Sequence, residues 1–154
     1  MSNIKVSTGA MAAWLCTGSF QDIFVNGVME IFTGVQPLNA DAVETGDKVA
    51  IVTVDGGAFT AGVATNGLNF DDTTDATLTQ ASAEDWKGAF IVEGTMGWFR
   101  FYANDQTAGA STTAIRFDGS VGTSTRADAQ VVTTDATIGG SVDFSNFKLN
   151  FSIV

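Results

Sequence analysis

Histidine is missing from the chain, and that absence removes more chemistry than any other feature of its composition. Imidazole is the commonest general base at neutral pH and the commonest metal ligand, so Ser-His and Cys-His nucleophilic arrangements and nearly every zinc site are excluded. Cysteine occurs once, as Cys16, which rules out an intramolecular disulfide; the residue is read as a small buried hydrophobe. Proline also occurs once, at Pro37. Cations are few and scattered singly, at Lys5, Lys48, Lys87, Arg100, Arg116, Arg126 and Lys148. Seventeen carboxylates set against these seven give a formal net charge of −10, and such a surface repels a phosphate backbone, so no nucleic-acid partner is expected. Long apolar runs are lacking as well. Met1-Ser-Asn-Ile-Lys5-Val6 does not lead into a sustained apolar core, and Met11-Ala-Ala-Trp14-Leu15-Cys16 is far shorter than the roughly 20 residues a membrane span needs. Neither a secretion signal nor a membrane partner is expected.

What remains is rich in Gly, Thr, Ser, Ala, Val and Phe, a balance that favours short strands over long helices. In Met96-Gly-Trp98-Phe99-Arg100-Phe101-Tyr102, a period of two puts Trp98, Arg100 and Tyr102 on one face and Phe99 and Phe101 on the other. The segment 112–119 answers it as a neighbouring strand, with Ile115 and Phe117 on one face, Ala114 and Arg116 on the other, and Asp118-Gly119 as a closing turn. Further strands are predicted at 28–33, 47–54, 68–70, 76–79, 89–93 and 130–133. Asp55-Gly56-Gly57 is read as a hairpin turn. A last strand runs to the C-terminus, kinked near Ser145-Asn146 where the apolar parity changes. The best helix covers 7–17, with Ser7 or Thr8 as N-cap, Gly18 as stop, and Met11, Trp14 and Leu15 on one face. Ser82-Ala-Glu84-Asp85 has capping-box spacing and predicts one further helical turn. The fold class that follows is all-β, an antiparallel β-sandwich of jelly-roll type with one short N-terminal helix. At 154 residues it forms one domain, 1–154, with 1–20 as an N-terminal helix or arm.

The constellations that could carry chemistry each have a plainer reading. Asp71-Asp72-Thr-Thr-Asp75 offers oxygen ligands but lacks the order and the closing glutamate of a calcium loop, so it is read as a solvated turn. Glu84-Asp85 could flank a glycosidic bond, yet adjacent carboxylates in a capping turn are more simply a cap and a surface charge. Gly9, Gly18, Gly27 and Gly34 match no phosphate-binding spacing. No catalytic, cofactor or metal residues are therefore expected, and the chain is not read as an enzyme.

Several passages together carry a family resemblance. They are Ser7-Thr8-Gly9, the Gly18-Ser19-Phe20 to Asn26-Gly27-Val28 passage, Ile31-Phe32-Thr33-Gly34-Val35-Gln36-Pro37, Ala40-Asp41 to Thr45-Gly46, Gly57-Ala58-Phe59, Asn66-Gly67-Leu68-Asn69-Phe70, Gly97-Trp98-Phe99-Arg100-Phe101-Tyr102 and Gly109-Ala-Ser-Thr-Thr-Ala114-Ile115-Arg116-Phe117-Asp118-Gly119. In this order they resemble small β-rich virion structural proteins of tailed bacteriophages and prophages, and the likeness covers most of the chain. The resemblance implies a structural phage protein, and the leading expectation is a capsid decoration, or cement, protein assembled in the host cytoplasm, with the major capsid protein as partner and further copies of itself in a homo-oligomer. The acidic charge places it on the outer capsid surface, since packaged DNA would repel it from the inner wall. Candidate partner-binding residues are Met11, Trp14 and Leu15 of the helix and Phe147, Leu149 and Phe151 of the last strand. Two alternatives stand beside this reading: a tail or fibre component, and a carbohydrate-binding module in which Trp86 or Trp98 stacks on sugar.

Overall fold

Strand-length runs of aromatic and β-branched residues form two antiparallel sheets that bury their rings against each other. The computed structural model describes residues 3–72 and 77–150, Asp72 by its backbone alone. In chain order the elements are β1 (Lys5–Val6), α1 (Thr8–Cys16), α2 (Phe20–Ile23), β2 (Val28–Thr33), β3 (Lys48–Val54), β4 (Phe70–Asp72) and β5 (Thr77–Gln80). They continue as β6 (Trp86–Ala89), β7 (Gly94–Tyr102), β8 (Arg116–Gly122), β9 (Ala129–Gln130), β10 (Asp135–Ala136), β11 (Ser141–Phe144) and β12 (Lys148–Asn150). The large sheet runs β1-β8-β7-β2-β3-β6-β11, with β10 added to β7 and β9 to β8; the small sheet is β12-β5-β4. Among the described residues all pairings are antiparallel except β8 with β9.

The inner face of the large sheet carries Met29, Ile31, Ala50, Val52, Phe99, Phe101 and Phe117, all buried. The small sheet and its flanks lay Phe70, Phe147 and Leu149 onto them. Phe70 meets Phe101 at 5.1 Å between ring centroids, and Phe147 meets Trp86 at 5.3 Å and Phe99 at 5.6 Å. Such offset and edge-on contacts favour ring quadrupoles as well as burying area. Helix α2 closes one end, where Phe20 and Phe24 pack on Phe117 at 5.4 and 4.9 Å. The all-β sandwich with a short N-terminal helix is thus the fold of the molecule.

The helix expected over 7–17 is α1. Its N-cap is Ser7, whose buried Oγ accepts from Ala10 N and Arg116 N and donates to the Ala114 carbonyl, so the cap also fastens the helix to the sheet. Helix α2 escaped prediction because its single turn has no apolar period to read. A full capping box made by Ser19 and Asp22 marks it instead. Hydrogen bonds from Ser19 hold the Asp22 carboxyl below the usual carboxylate range.

Five local expectations are corrected. Asp118-Gly119 lies inside β8 rather than ending it, because Asp118 is consumed by a buried ion pair and Gly119 lets the Phe99 ring lie against the strand, where a Cβ would sit only 2.5 Å from the ring. At Asp55 and Gly56 a turn does form, both residues having positive φ, but no strand follows it. Both edges of β3 are already taken, by β2 and β6. The segment 82–85 is non-helical and leads into β6: Glu84 accepts from Asn69 N, Asn69 Nδ2 and Trp86 Nε1 instead of capping a helix. The strand expected over 89–93 lies earlier, at β6. Finally, the parity change near Ser145-Asn146 is a crossing between sheets, so that β11 pairs with β6 while β12 pairs with β5.

Candidate functional site

The outer face of the large sheet is where the sequence does something unusual. A row of charge crosses it: Lys5, Asp118, Arg100 and Glu30 stand in register on β1, β8, β7 and β2. Arg100, Arg116 and Asp118 are wholly buried. An open sheet face would leave them in water; here the loop 34–46 lies over it and 103–115 flanks it. We refer to residues 34–46 as the strap.

Arg100 makes a fork with Asp118, Nε to Oδ1 at 2.6 Å and Nη2 to Oδ2 at 2.8 Å, while its Nη1 reaches Glu44 Oε1 at 2.8 Å and the Ala42 carbonyl at 2.9 Å. Trp98 lies beneath, its ring centroid 5.4 Å from the guanidinium carbon. Arg116 spends its donors on backbone: Nε on the Ala40 carbonyl at 2.7 Å, Nη2 on Asp41 at 3.1 Å and Nη1 on Thr107 at 2.9 Å. Glu44 also accepts from Tyr102 Oη and from Gly109 N. Trp98 Nε1 donates to the Thr45 carbonyl. Glu30 accepts from Lys48 and from Gln106, both at 2.9 Å. Among the described residues no buried side-chain nitrogen or oxygen lacks a partner.

The electrostatics fit a closed network. Burial works against the Arg100 charge, but the Asp118 and Glu44 carboxylates outweigh it and hold the guanidinium more firmly protonated than usual. Burial, together with the negative charges of Glu30 and Glu44, pushes the Tyr102 hydroxyl far above its ordinary range. Burial also raises Glu44, yet its own backbone N–H, Tyr102, Gly109 and Arg100 together bring it below the usual glutamate value. Asp118 is pushed up by burial against the pull of Arg100, and Arg116 is pushed down by burial and by the neighbouring Arg100 charge. A buried set of this kind is costly to break, because each partner left behind is a desolvated charge.

Its product is a strap with a fixed backbone. Further bonds secure the strap: Lys5 Nζ to the Pro37 carbonyl at 2.6 Å, Gln36 Nε2 to the Asn3 carbonyl, Thr45 Oγ1 to the Val35 carbonyl, and Thr8 N and Oγ1, at the start of α1, to the Asp41 carboxylate. With its polar groups turned inward, the strap turns apolar side chains outward. Leu38 is 94% exposed, Val35 83% and Val43 56%. Sequence reading treats 34–41 as a break between strands and passes over it. Two signals were available: apolar residues inside a turn-rich segment, and arginines inside two aromatic strands, which demand something to receive them.

The structure divides the predicted contact residues. Met11, Trp14 and Leu15 are exposed on α1. Phe147 and Leu149 are buried in the core, so their side chains complete the monomer and present nothing to a partner, a correction that follows from the crossing at Ser145-Asn146. Phe151 lies outside the described residues, as does Asp75 of the acidic loop. Asp71 of that loop accepts from Ser82 N. Cys16, expected inside, is an exposed thiol because it sits on the outward side of α1. Trp86 and Trp98 are completely buried, which removes both rings proposed to stack on sugar. A cleft of about 580 Å³ between the 123–132 segment and the β11–β12 crossing is lined by Thr123, Thr125, Asp128, Asp143, Asn146 and other residues. Asp128 is engaged there by Ser120 and Asn3. No described helix is long and apolar enough to cross a membrane.

Comparison with models of known protein families, with curated proteins and with solved structures finds nothing that matches this chain.

Proposed function

We propose that this protein is a structural component of a tailed-bacteriophage virion, a decoration protein that binds the outer surface of the assembled head and clamps neighbouring capsid subunits. The observation that carries the reading is the strap: two buried arginines hold a loop backbone from below so that Val35, Leu38 and Val43 stand outward in one arrangement. A loop already ordered in its free state loses little conformational entropy on docking, so shallow apolar contacts translate into affinity. Such a surface fits a rigid, repeated partner better than a diffusing small molecule. Net charge of −10 favours an electropositive shell exterior and disfavours the DNA-facing wall. The resemblance to small phage virion proteins supports the same assignment. Copy number separates head from tail: in purified virions, abundance comparable to the major capsid protein fits decoration, whereas a few copies per particle assigns the chain to the tail and overturns the reading.

A further inference from the structure

Helix α1 is apolar around its whole circumference, which is the pattern of a helix covered on all sides, yet only Ala10 is buried. Thr8, Met11, Ala12, Leu15 and Cys16 are exposed, and their spacing places them in one stripe along the helix. Trp14 borders it, 38% exposed, with its ring edge-on to Phe20 at 5.4 Å. At its N-terminal end the strap's Asp41 accepts from Thr8 N and Oγ1, and beyond it Met11, Ala12, Leu15 and Cys16 face solvent.

We propose that the stripe is a self-association face, and that its occupant is the α1 stripe of a second copy in a two-fold pair. Charge selects this occupant. Two chains of net charge −10 repel one another over most of their surfaces, but residues 6–21 contain no charged side chain, and Asp41, bonded to Thr8, lies at one end of the stripe, so an antiparallel α1 pair lets copies meet with these carboxylates at opposite ends. Shape agrees. Met11 and Leu15 alternate with the smaller Thr8, Ala12 and Cys16, and an isologous pairing lays the large residues of one copy over the small residues of the other at the 8–10 Å separation typical of packed helices. The stripe does not depend on the virion assignment, because it would pair copies in solution whatever the strap binds.

Sedimentation and light scattering on the full chain test this at about 100 µM, a hundredfold above a micromolar dissociation constant. The expected result is a mass twice the 16.0 kDa of the chain, falling back to the chain mass for Leu15→Lys at the same concentration. Leu15 is 76% exposed, and a lysine near the helix C-terminus suits the helix, so the variant is expected to remain folded by circular dichroism. Alkylation of Cys16 by a maleimide gives a second readout: its rate drops at least several-fold as wild-type concentration rises and stays constant in Leu15→Lys. A wild-type protein that stays at the chain mass, or a Leu15→Lys protein that still doubles, overturns the proposal. So does a wild-type monomer whose Leu15→Lys form no longer binds heads, since the stripe then belongs to the shell. Failure of the strap to bind heads, with doubling intact, would remove the virion reading and leave this one standing.

Discussion

Arg100 does the most to define this molecule at the scale of a single side chain. Replacing it by Met keeps the aliphatic volume but leaves Asp118 and Glu44 desolvated without their cation, so Arg100→Met should cost about 3–5 kcal/mol in urea denaturation. A change below about 1 kcal/mol, the ordinary value of a surface ion pair, would show that the pair is not buried in solution. Glu44 gives the pH dependence. Its folded carboxyl lies below the ordinary 4.5, so the stability it contributes is present above that value and is lost as pH falls through and beneath it. Asp118, pushed the other way, partly opposes this loss, so the informative quantity is a difference. Glu44→Gln should flatten the fall in melting temperature below about pH 4.5 relative to wild type, while lowering stability at pH 7. Sequence alone made these residues visible as arginines out of place among aromatics. It could not name their partners, because Asp118 was read as turn chemistry and Glu44 lies in a loop with no periodic signal; pairing over more than fifty intervening residues is a property of the closed fold.

Among the elements, β7 and β8 were legible for a different reason. A period of two separates Phe99 and Phe101 from Trp98, Arg100 and Tyr102, and the observed register sets Phe101 opposite Phe117 and Arg100 opposite Asp118, so that period was sufficient to assign faces. Gly119 tests that packing: Gly119→Ala forces a methyl into the Phe99 ring and should destabilise by roughly 1–3 kcal/mol, read from the denaturation midpoint. Helix α1 was legible from its cap, and Met11 and Leu15 of its outward stripe from spacing, whereas Cys16 was read as buried. The strap was not. It has no period, its conformation comes from carbonyls received by distant arginines, and only the fold reveals that its apolar residues point away from the core. Because Leu38 touches solvent on nearly all sides, Leu38→Glu should leave the melting temperature within about a degree of wild type, which corresponds to the few tenths of a kcal/mol typical of exposed sites. A large loss of stability would mean that the strap is not held as described.

At the scale of the whole molecule, a sandwich with an aromatic interior supports one outer face fastened by charge, and the remaining surface is strongly acidic. That charge should steer the protein toward a positive shell. Raising ionic strength from about 0.1 M to about 1 M shortens the Debye length from about 10 to about 3 Å, and association with heads should slow by about tenfold or more, measured by light scattering. The clamp itself is tested most directly by heat. Heads assembled without the protein are saturated with wild-type chain or with Leu38→Glu, and the temperature at which they release DNA is recorded. Wild type is expected to raise that temperature and Leu38→Glu to leave it at the undecorated value; no rise with wild type at saturation, or an equal rise with the variant, would contradict a strap that clamps the shell.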